Sequence, residues 1–348
     1  MSAQTIIEID NVTKIFGDNT QAALKMLRAG ASKADVQAKT RQVVGLKDVS
    51  IKVERGEIFV VMGLSGSGKS TLIRHVNRLI DPTSGSVRVN GVDILAMSLD
   101  ELREYRRGEV AMVFQNFGLL PHRNVIDNVA YGLEVRGLDK KERHKVAARW
   151  IETVGLAGYE NSRPHELSGG QQQRVGLARA LAMDTEVLLM DEAFSALDPL
   201  IRSGMQEQLL ELQKKLHKTI FFITHDFNEA IRIGDRIAVL NDGELVQTGR
   251  PEEIVLHPAD NYVADFVRDV NRARVIRVAS IMDENETGPL EVSVAATSSC
   301  EDVLPLFASN QWVGVVSENG ERIGAVSAKQ VIAALARYQE ALGEQRLG

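Results

Sequence analysis

The stretch Gly63-Leu64-Ser65-Gly66-Ser67-Gly68-Lys69-Ser70 has the spacing G-x-x-x-x-G-K-S, with Thr71 directly after it. Glycines at these places let successive backbone N–H groups point into one concavity. A helix starting at the lysine adds its positive end to their attraction for phosphate oxygens. Lys69 is then expected to reach the β- and γ-phosphates of a nucleoside triphosphate, and Ser70 to ligate magnesium. The competing reading is a glycine turn without a ligand. Context favours phosphate, because the apolar run Ile58 to Met62 reads as a strand leading into the loop.

A second group, Val187-Leu188-Leu189-Met190-Asp191-Glu192, is four apolar residues followed by two carboxylates. Burial of such a strand would fix both acids at its end. Asp191 is placed to hold magnesium, directly or through water, and Glu192 to polarise the water that attacks a γ-phosphate; a capping or salt-bridged pair is the alternative. A third group, Leu167-Ser168-Gly169-Gly170-Gln171 followed by Gln172-Gln173-Arg174, reads as another helix start, whose serine and N–H groups suit a phosphate.

These residues need a framework. The β-branched runs 6–9, 51–53 and 58–62 predict strands that open a sheet. Between the first two, residues 18–42 carry Leu24, Met26 and Leu27, then Gly30 and Ser32 at a break. That pattern predicts a helical hairpin inserted between two edge strands, with a solvated basic loop as the alternative. A helix bearing Leu72, Ile73, Val76 and Leu79 is expected to end before Asp81-Pro82. Strands are expected at 86–89 and 110–114 and a small helical lobe over 138–156. The unbroken apolar runs 187–190 and 220–223 suit central parallel strands covered on both faces.

The polar character rises over 262–272, which places a domain boundary there. The expected organisation is a first domain over 1–270 and a small α/β module over 273–340. The module reads as a strand at 275–278, a turn at 285–288, a helix at 300–308, a strand at 313–316, a turn at 318–320, a strand at 323–326 and a helix from Lys329. It carries no catalytic constellation.

Composition bounds the function. At 348 residues the chain is too long for one ordinary domain. An apolar share of 44% and a charged share of 25% are those of a soluble globular protein. No stretch approaches the roughly 18 uninterrupted apolar residues of a membrane helix, and the N-terminus lacks the pattern of a secretory signal, so a cytoplasmic location is expected. The net charge of -6 argues against broad attraction to nucleic acid. Cys300 is the only cysteine, which excludes an internal disulfide and a cysteine cluster.

The sequence Leu167-Ser168-Gly169-Gly170-Gln171, in this order with the other two motifs, resembles the signature of the nucleotide-binding subunits of ABC transporters. The resemblance implies an α/β P-loop NTPase of the ABC type: a RecA-like core, an antiparallel β subdomain and a helical subdomain over about 118–165. It implies ATP and Mg2+. It further implies that Phe16 stacks on adenine, the alternative being an ordinary core phenylalanine. Gln115 would contact magnesium and the attacking water. Ser195-Ala196-Leu197-Asp198 would cross a dimer interface, and His225 would bond the γ-phosphate and steady Glu192. Ser168, Gly169, Gly170 and Gln171 would hold the γ-phosphate of the nucleotide on the opposite subunit, so two copies are needed to complete two sites.

Within that family the chain is similar to importers of glycine betaine, proline betaine, choline and related quaternary amines. The residues that carry this are the insertion 18–42, the phrase 58–70, and Met190-Asp191-Glu192-Ala193-Phe194-Ser195-Ala196-Leu197-Asp198-Pro199-Leu200-Ile201-Arg202. The implied partners are a second ATPase subunit, two membrane-spanning permease subunits and a periplasmic or lipid-anchored substrate-binding protein, at the cytoplasmic face of the inner membrane. Residues 273–340 resemble a single cystathionine-β-synthase-type (CBS) repeat, which implies a regulatory or a dimerisation role. The alternatives are an ATPase for another small solute and a soluble ABC ATPase outside transport.

Overall fold

Two long strands open the chain, and the strand after them leads into the glycine-rich loop. The computed structural model describes residues 4–195, 197–286, 290–317 and 319–343, with side chains to residue 336. Ala196, Gly288 and Glu318, which belong to expected loops and turns, lie outside the described residues.

The first unit, residues 1–246 by packing, opens with β1 (Thr5–Phe16), α1 (Thr20–Arg28), α2 (Lys33–Thr40), β2 (Val43–Glu54) and β3 (Ile58–Met62). It continues with α3 (Lys69–Val76), β4 (Ser84–Val89), β5 (Val92–Asp93), α4 (Leu99–Gly108) and β6 (Val110–Val113). A helical lobe follows: α5 (Val125–Val129), α6 (Tyr131–Val135), α7 (Lys140–Thr153) and α8 (Gly169–Ala182). Then come β7 (Val187–Asp191), α9 (Pro199–Leu216), β8 (Thr219–Thr224), α10 (Phe227–Ile233), β9 (Arg236–Asn241) and β10 (Glu244–Gly249), within which the packing division falls.

β1 and β2 pair antiparallel in the register Ile9↔Ile51 and Phe16↔Val43, and their sheet runs β2-β1-β4-β5. β1 is therefore interior. The helical pair joins an edge strand to a central one, which corrects the expectation of two edges: β4, the strand that covers the other side of β1, arrives only after the phosphate loop. The pair itself is helical as expected. Ala23, Leu24, Leu27 and Val36 bury against Ile15 and Val44, and Ser32 caps α2 in a reciprocal box with Asp35.

The second sheet runs β10-β9-β3-β8-β7-β6, with parallel pairs β3–β8, β3–β9, β7–β8 and β6–β7. Its central strands are buried at every position, because both faces are covered. Alternate residues Phe59, Val61, Leu189, Phe221 and Ile223 face a core shared with β1, β2, α3 and α4. Helix α3 stops at Val76, a turn before the expected end. Asn77 Oδ1 accepts from the Leu79 amide, Arg78 adopts φ 49°, and Tyr105 donates to the Val76 carbonyl, so local side chains take over the groups that another turn would use.

The second unit, residues 247–348 by packing, holds α11 (Pro251–Leu256), α12 (Asn261–Val267), α13 (Arg272–Val275), β11 (Ser293–Ala295), α14 (Cys300–Val303), β12 (Trp312–Val316), β13 (Arg322–Ser327) and α15 (Ala328–Gly343). The packing division thus falls ahead of the boundary expected near 270. The polar stretch 262–272 is the surface of short helices, and Leu256 of α11 already packs on the core around Ile276, Val278 and Cys300. The expected strand at 275–278 is instead the end of α13, one isolated bridge (Arg277 to Ser299) and a 3-10 turn. Its apolar residues are core residues on a bend. The helix expected over 300–308 divides after Val303 into a 3-10 turn, where Pro305 lacks the N–H that a helix interior needs. The sheet β11-β12-β13 has a parallel and then an antiparallel pair.

Candidate functional site

β3 delivers the chain into Gly63–Gly68, and α3 begins at Lys69 with Gly68 at its N-cap in φ 98°. A side chain at Gly68 would come within 2.7 Å of the Gly45 carbonyl. Only glycine allows β2 and the helix start to approach so closely. Gly45 in turn lies against the Phe16 ring, so that a Cβ there would sit 2.6 Å from it. Phe16 is 39% exposed, with Lys14 Nζ 5.2 Å from its ring centroid. It is an open platform at the strand end and not a core residue.

Lys69 is buried, and its Nζ donates to the carbonyls of Gly63 at 2.9 Å and Leu64 at 3.0 Å. It lies 3.7 Å from Glu192 Oε1. Burial lowers its pKa, against the opposing pull of Glu192 and Asp191. Ser70 Oγ donates to Asp191 Oδ1 at 2.9 Å, and Arg74 Nη2 stands 3.7 Å from the other oxygen. Burial raises the Asp191 pKa, while Ser70 and Arg74 work the other way. Both groups are therefore desolvated charges whose ionised forms a triphosphate with a divalent cation would favour.

Glu192 follows β7 in a left-handed conformation, φ 46°, held by its amide on the Ile223 carbonyl at 3.0 Å. Its Oε2 accepts from Gln115 Nε2 at 3.0 Å and lies 3.2 Å from His225 Nδ1. Three separate strand ends, after β6, β7 and β8, thus converge on one carboxylate. Beside a phosphate loop this arrangement can orient and deprotonate a water molecule. Among the described residues no group of three or more His, Cys, Asp or Glu could cage a metal ion. Asp191 and Ser70 are nevertheless hard oxygen donors. That set fits magnesium, which takes one or two protein ligands and completes its shell with waters and substrate phosphates.

The signature residues lie in a different place. Ser168 caps α8 and exchanges bonds with Gln171, its Oγ accepting from the Gln171 amide at 3.3 Å and its amide donating to Gln171 Oε1 at 2.9 Å. Ser168, Gly169, Gly170 and Gln171 line an open hollow of about 660 Å³ together with Leu197 and Asp198. Among the described residues, none of the phosphate loop lines it. The candidate residues therefore fall into two separate groups: Ser65, Gly66, Ser67, Lys69, Ser70, Thr71, Asp191, Glu192, Gln115 and His225 around the loop, and Ser168–Gln171 with Asp198 at the hollow. Arg74, one turn after Ser70 on α3, was not read from the sequence, although its i+4 spacing from Ser70 places it on the same helix face.

The model of the family described as "ABC transporter" matches residues 46–195. The glycine betaine/carnitine transport ATP-binding protein of Listeria monocytogenes is 51% identical over 93% of this chain and 81% of its own length. The glycine betaine/proline betaine transport system ATP-binding protein of Escherichia coli is 47% identical over 96% of this chain and 83% of its own. Among solved structures, a dimeric ATP-binding cassette in a post-hydrolysis state bound to ADP and phosphate superposes with a TM-score of 0.61 at 32% identity, covering 70% of this chain and 98% of that one.

Proposed function

Because the chain belongs to the ATP-binding proteins of ABC transporters, close to those of the glycine betaine and proline betaine systems, we propose that it binds and hydrolyses ATP as a homodimer that energises uptake of a quaternary amine. The observation that carries this reading is the separation of the two half-sites. A loop that grips a triphosphate and a serine-capped helix start that suits its terminal phosphate are both present in one chain, in different places.

Two chains set head to tail bring each Ser168 cap onto the other's nucleotide. Phe16 supports the adenine. Lys69 leaves the carbonyls of Gly63 and Leu64 for the β- and γ-phosphates. Glu192 takes a proton from water as the water oxygen bonds to the γ-phosphorus, and the bond to the β-phosphate oxygen breaks to leave ADP and phosphate. His225 and Gln115 hold Glu192 and the transferring group. Ser70 and Asp191, with Gln115, are the residues that would hold Mg2+, which would supply neutralisation of phosphate charge when bound. Loss of the bridging phosphate removes contacts found only in the closed dimer, so it reopens.

Membrane-spanning permease subunits and a substrate-binding protein complete the system in this reading. Among the described residues no helix is long and apolar enough to cross a membrane, and kinship with the ATP-binding proteins of transport systems supports a peripheral place at the cytoplasmic face. The C-terminal order β11, α14, β12, β13, α15 supports a single CBS-like module. The transported solute never touches this chain, and its identity follows kinship alone.

The test uses the full-length chain. Glu192→Gln should hydrolyse ATP at least about a hundredfold more slowly and accumulate as an ATP-bound dimer in sedimentation. Adding Ser168→Arg should abolish that dimer while leaving nucleotide binding to the monomer. Near-normal turnover in the first variant, or a dimer that survives the second change, sinks the reading.

A further inference from the structure

Arg202 sits in the first turn of α9, at the end of the run Pro199-Leu200-Ile201-Arg202, and lines neither half-site. Its guanidinium nevertheless ties two parts of the chain that lead into the hydrolytic group. Nη1 donates to Asp226 Oδ2 at 3.3 Å. Nη2 donates to the Leu197 carbonyl at 3.1 Å and the Ser195 carbonyl at 3.4 Å.

Each end of this clip is itself fastened to a reacting group. Asp226 is the residue after His225, and its other oxygen caps α10 by accepting from the amides of Asn228 at 2.9 Å and Glu229 at 3.2 Å. Ser195 Oγ donates to the Glu192 carbonyl at 2.9 Å, as does its amide at 3.2 Å. The strained Glu192 backbone and the His225 loop are thus joined through one cation.

We propose that Arg202 is a positioning residue for hydrolysis: by holding Ser195 and Leu197 against Asp226 it sets the spacing between Glu192 and His225 and makes the two loops move as one. The inference rests on the reading of Glu192 and His225 as the hydrolytic pair. A guanidinium suits the role because its planar fork can serve acceptors on both sides at once, where an ammonium is a single point charge. The individual bonds are long, so the contribution lies in geometry, to which catalysis is steep. Asp198, next in chain to the clamped segment, lies at the Ser168 hollow, so the same clip would relay occupancy of one half-site to the other.

The experiment is a double-mutant cycle on the full-length chain, with Arg202→Met, Asp226→Asn and the pair, followed by steady-state ATP hydrolysis. Asparagine keeps the cap on α10 and removes the charge. Each single change should lower kcat about tenfold or more with KM for ATP within about threefold, and the pair should be no worse than the poorer single, as expected of two residues in one contact. Arg202→Lys should recover part of the loss. Thermal stabilisation by ADP should match the parent in every variant, which separates misplacement from misfolding. A kcat for Arg202→Met within about twofold of the parent, or losses that multiply in the pair, overturns the proposal. Should Arg202→Met not fold, a folded Asp226→Asn with full kcat overturns it alone. If Glu192→Gln itself turned over normally, the underlying reading would fail. A dead Glu192→Gln beside a fully active Arg202→Met would fail this inference only.

Discussion

Ser70 Oγ donates to Asp191 Oδ1 at 2.9 Å across 121 residues of sequence, so the hydroxyl at the start of one helix and the carboxylate at the end of a strand form one oxygen cluster. Asp191 is nearly fully buried, at 2% exposure, and the hydroxyl offsets part of the cost of burying it. If the pair is a divalent-cation site, Ser70→Ala should raise the magnesium concentration needed for half-maximal hydrolysis by at least about tenfold. ADP binding in the presence of a chelator should change little. A magnesium titration of hydrolysis in the two proteins checks this, and coincident curves would remove Ser70 from the role.

Much of this cluster is legible in the sequence because each half is a local pattern. A strand, a glycine loop and a helix start are contiguous around Lys69, and an apolar run followed by Asp191-Glu192 has one sensible burial. Convergence is harder to read. That Gln115, Glu192 and His225 meet on one carboxylate oxygen depends on the order of β6, β7, β8 and β3 in the sheet, which no local run encodes. The strand expected at 275–278 fails for the opposite reason. Val275, Ile276 and Val278 are buried, as their types suggest, but apolar character alone does not distinguish a strand from a buried bend. Arg202 is silent in the sequence because its partners at Ser195, Leu197 and Asp226 are backbone carbonyls and a loop carboxylate, whose positions exist only after α9 and α10 have packed.

The phosphate loop also predicts unequal tolerance among its glycines. Gly66 has φ 85° and open space, with nothing within 4 Å of where a methyl would project, whereas Gly68 has φ 98° and would drive a methyl to 2.7 Å from both the Gly45 carbonyl and Leu46 Cδ2. Gly66→Ala should therefore cost only backbone strain, about 1–2 kcal/mol. Gly68→Ala must add displacement of β2, for a total of at least about 3 kcal/mol. Denaturant titrations of the first unit's transition in the two variants check the ranking. Equal losses would mean that the Gly45–Gly68 approach is not what fixes the start of α3.

His75, on the same helix, gives the expectation for pH. Its ring is fully buried, at 0% exposure. Nδ1 donates to the Thr71 carbonyl at 2.6 Å, and Nε2 has no partner among the described residues. Burial pushes its pKa below the ordinary 6.5, aided by the charge of Lys14 and opposed by Asp81 and the Thr71 carbonyl. The folded chain therefore holds His75 neutral where the unfolded chain has begun to protonate it. Its contribution is complete above about pH 6.5 and is withdrawn as pH falls below that value, at up to about 1.4 kcal/mol per unit until the depressed folded pKa is reached. In His75→Leu this slope is absent. Unfolding free energies measured from pH 7.5 down to 5.5 should show the parent losing stability relative to the variant, with the difference opening only below about 6.5. Parallel curves would mean that the imidazole takes up its proton in the fold as readily as in the unfolded chain, and that some group near α3 satisfies Nε2.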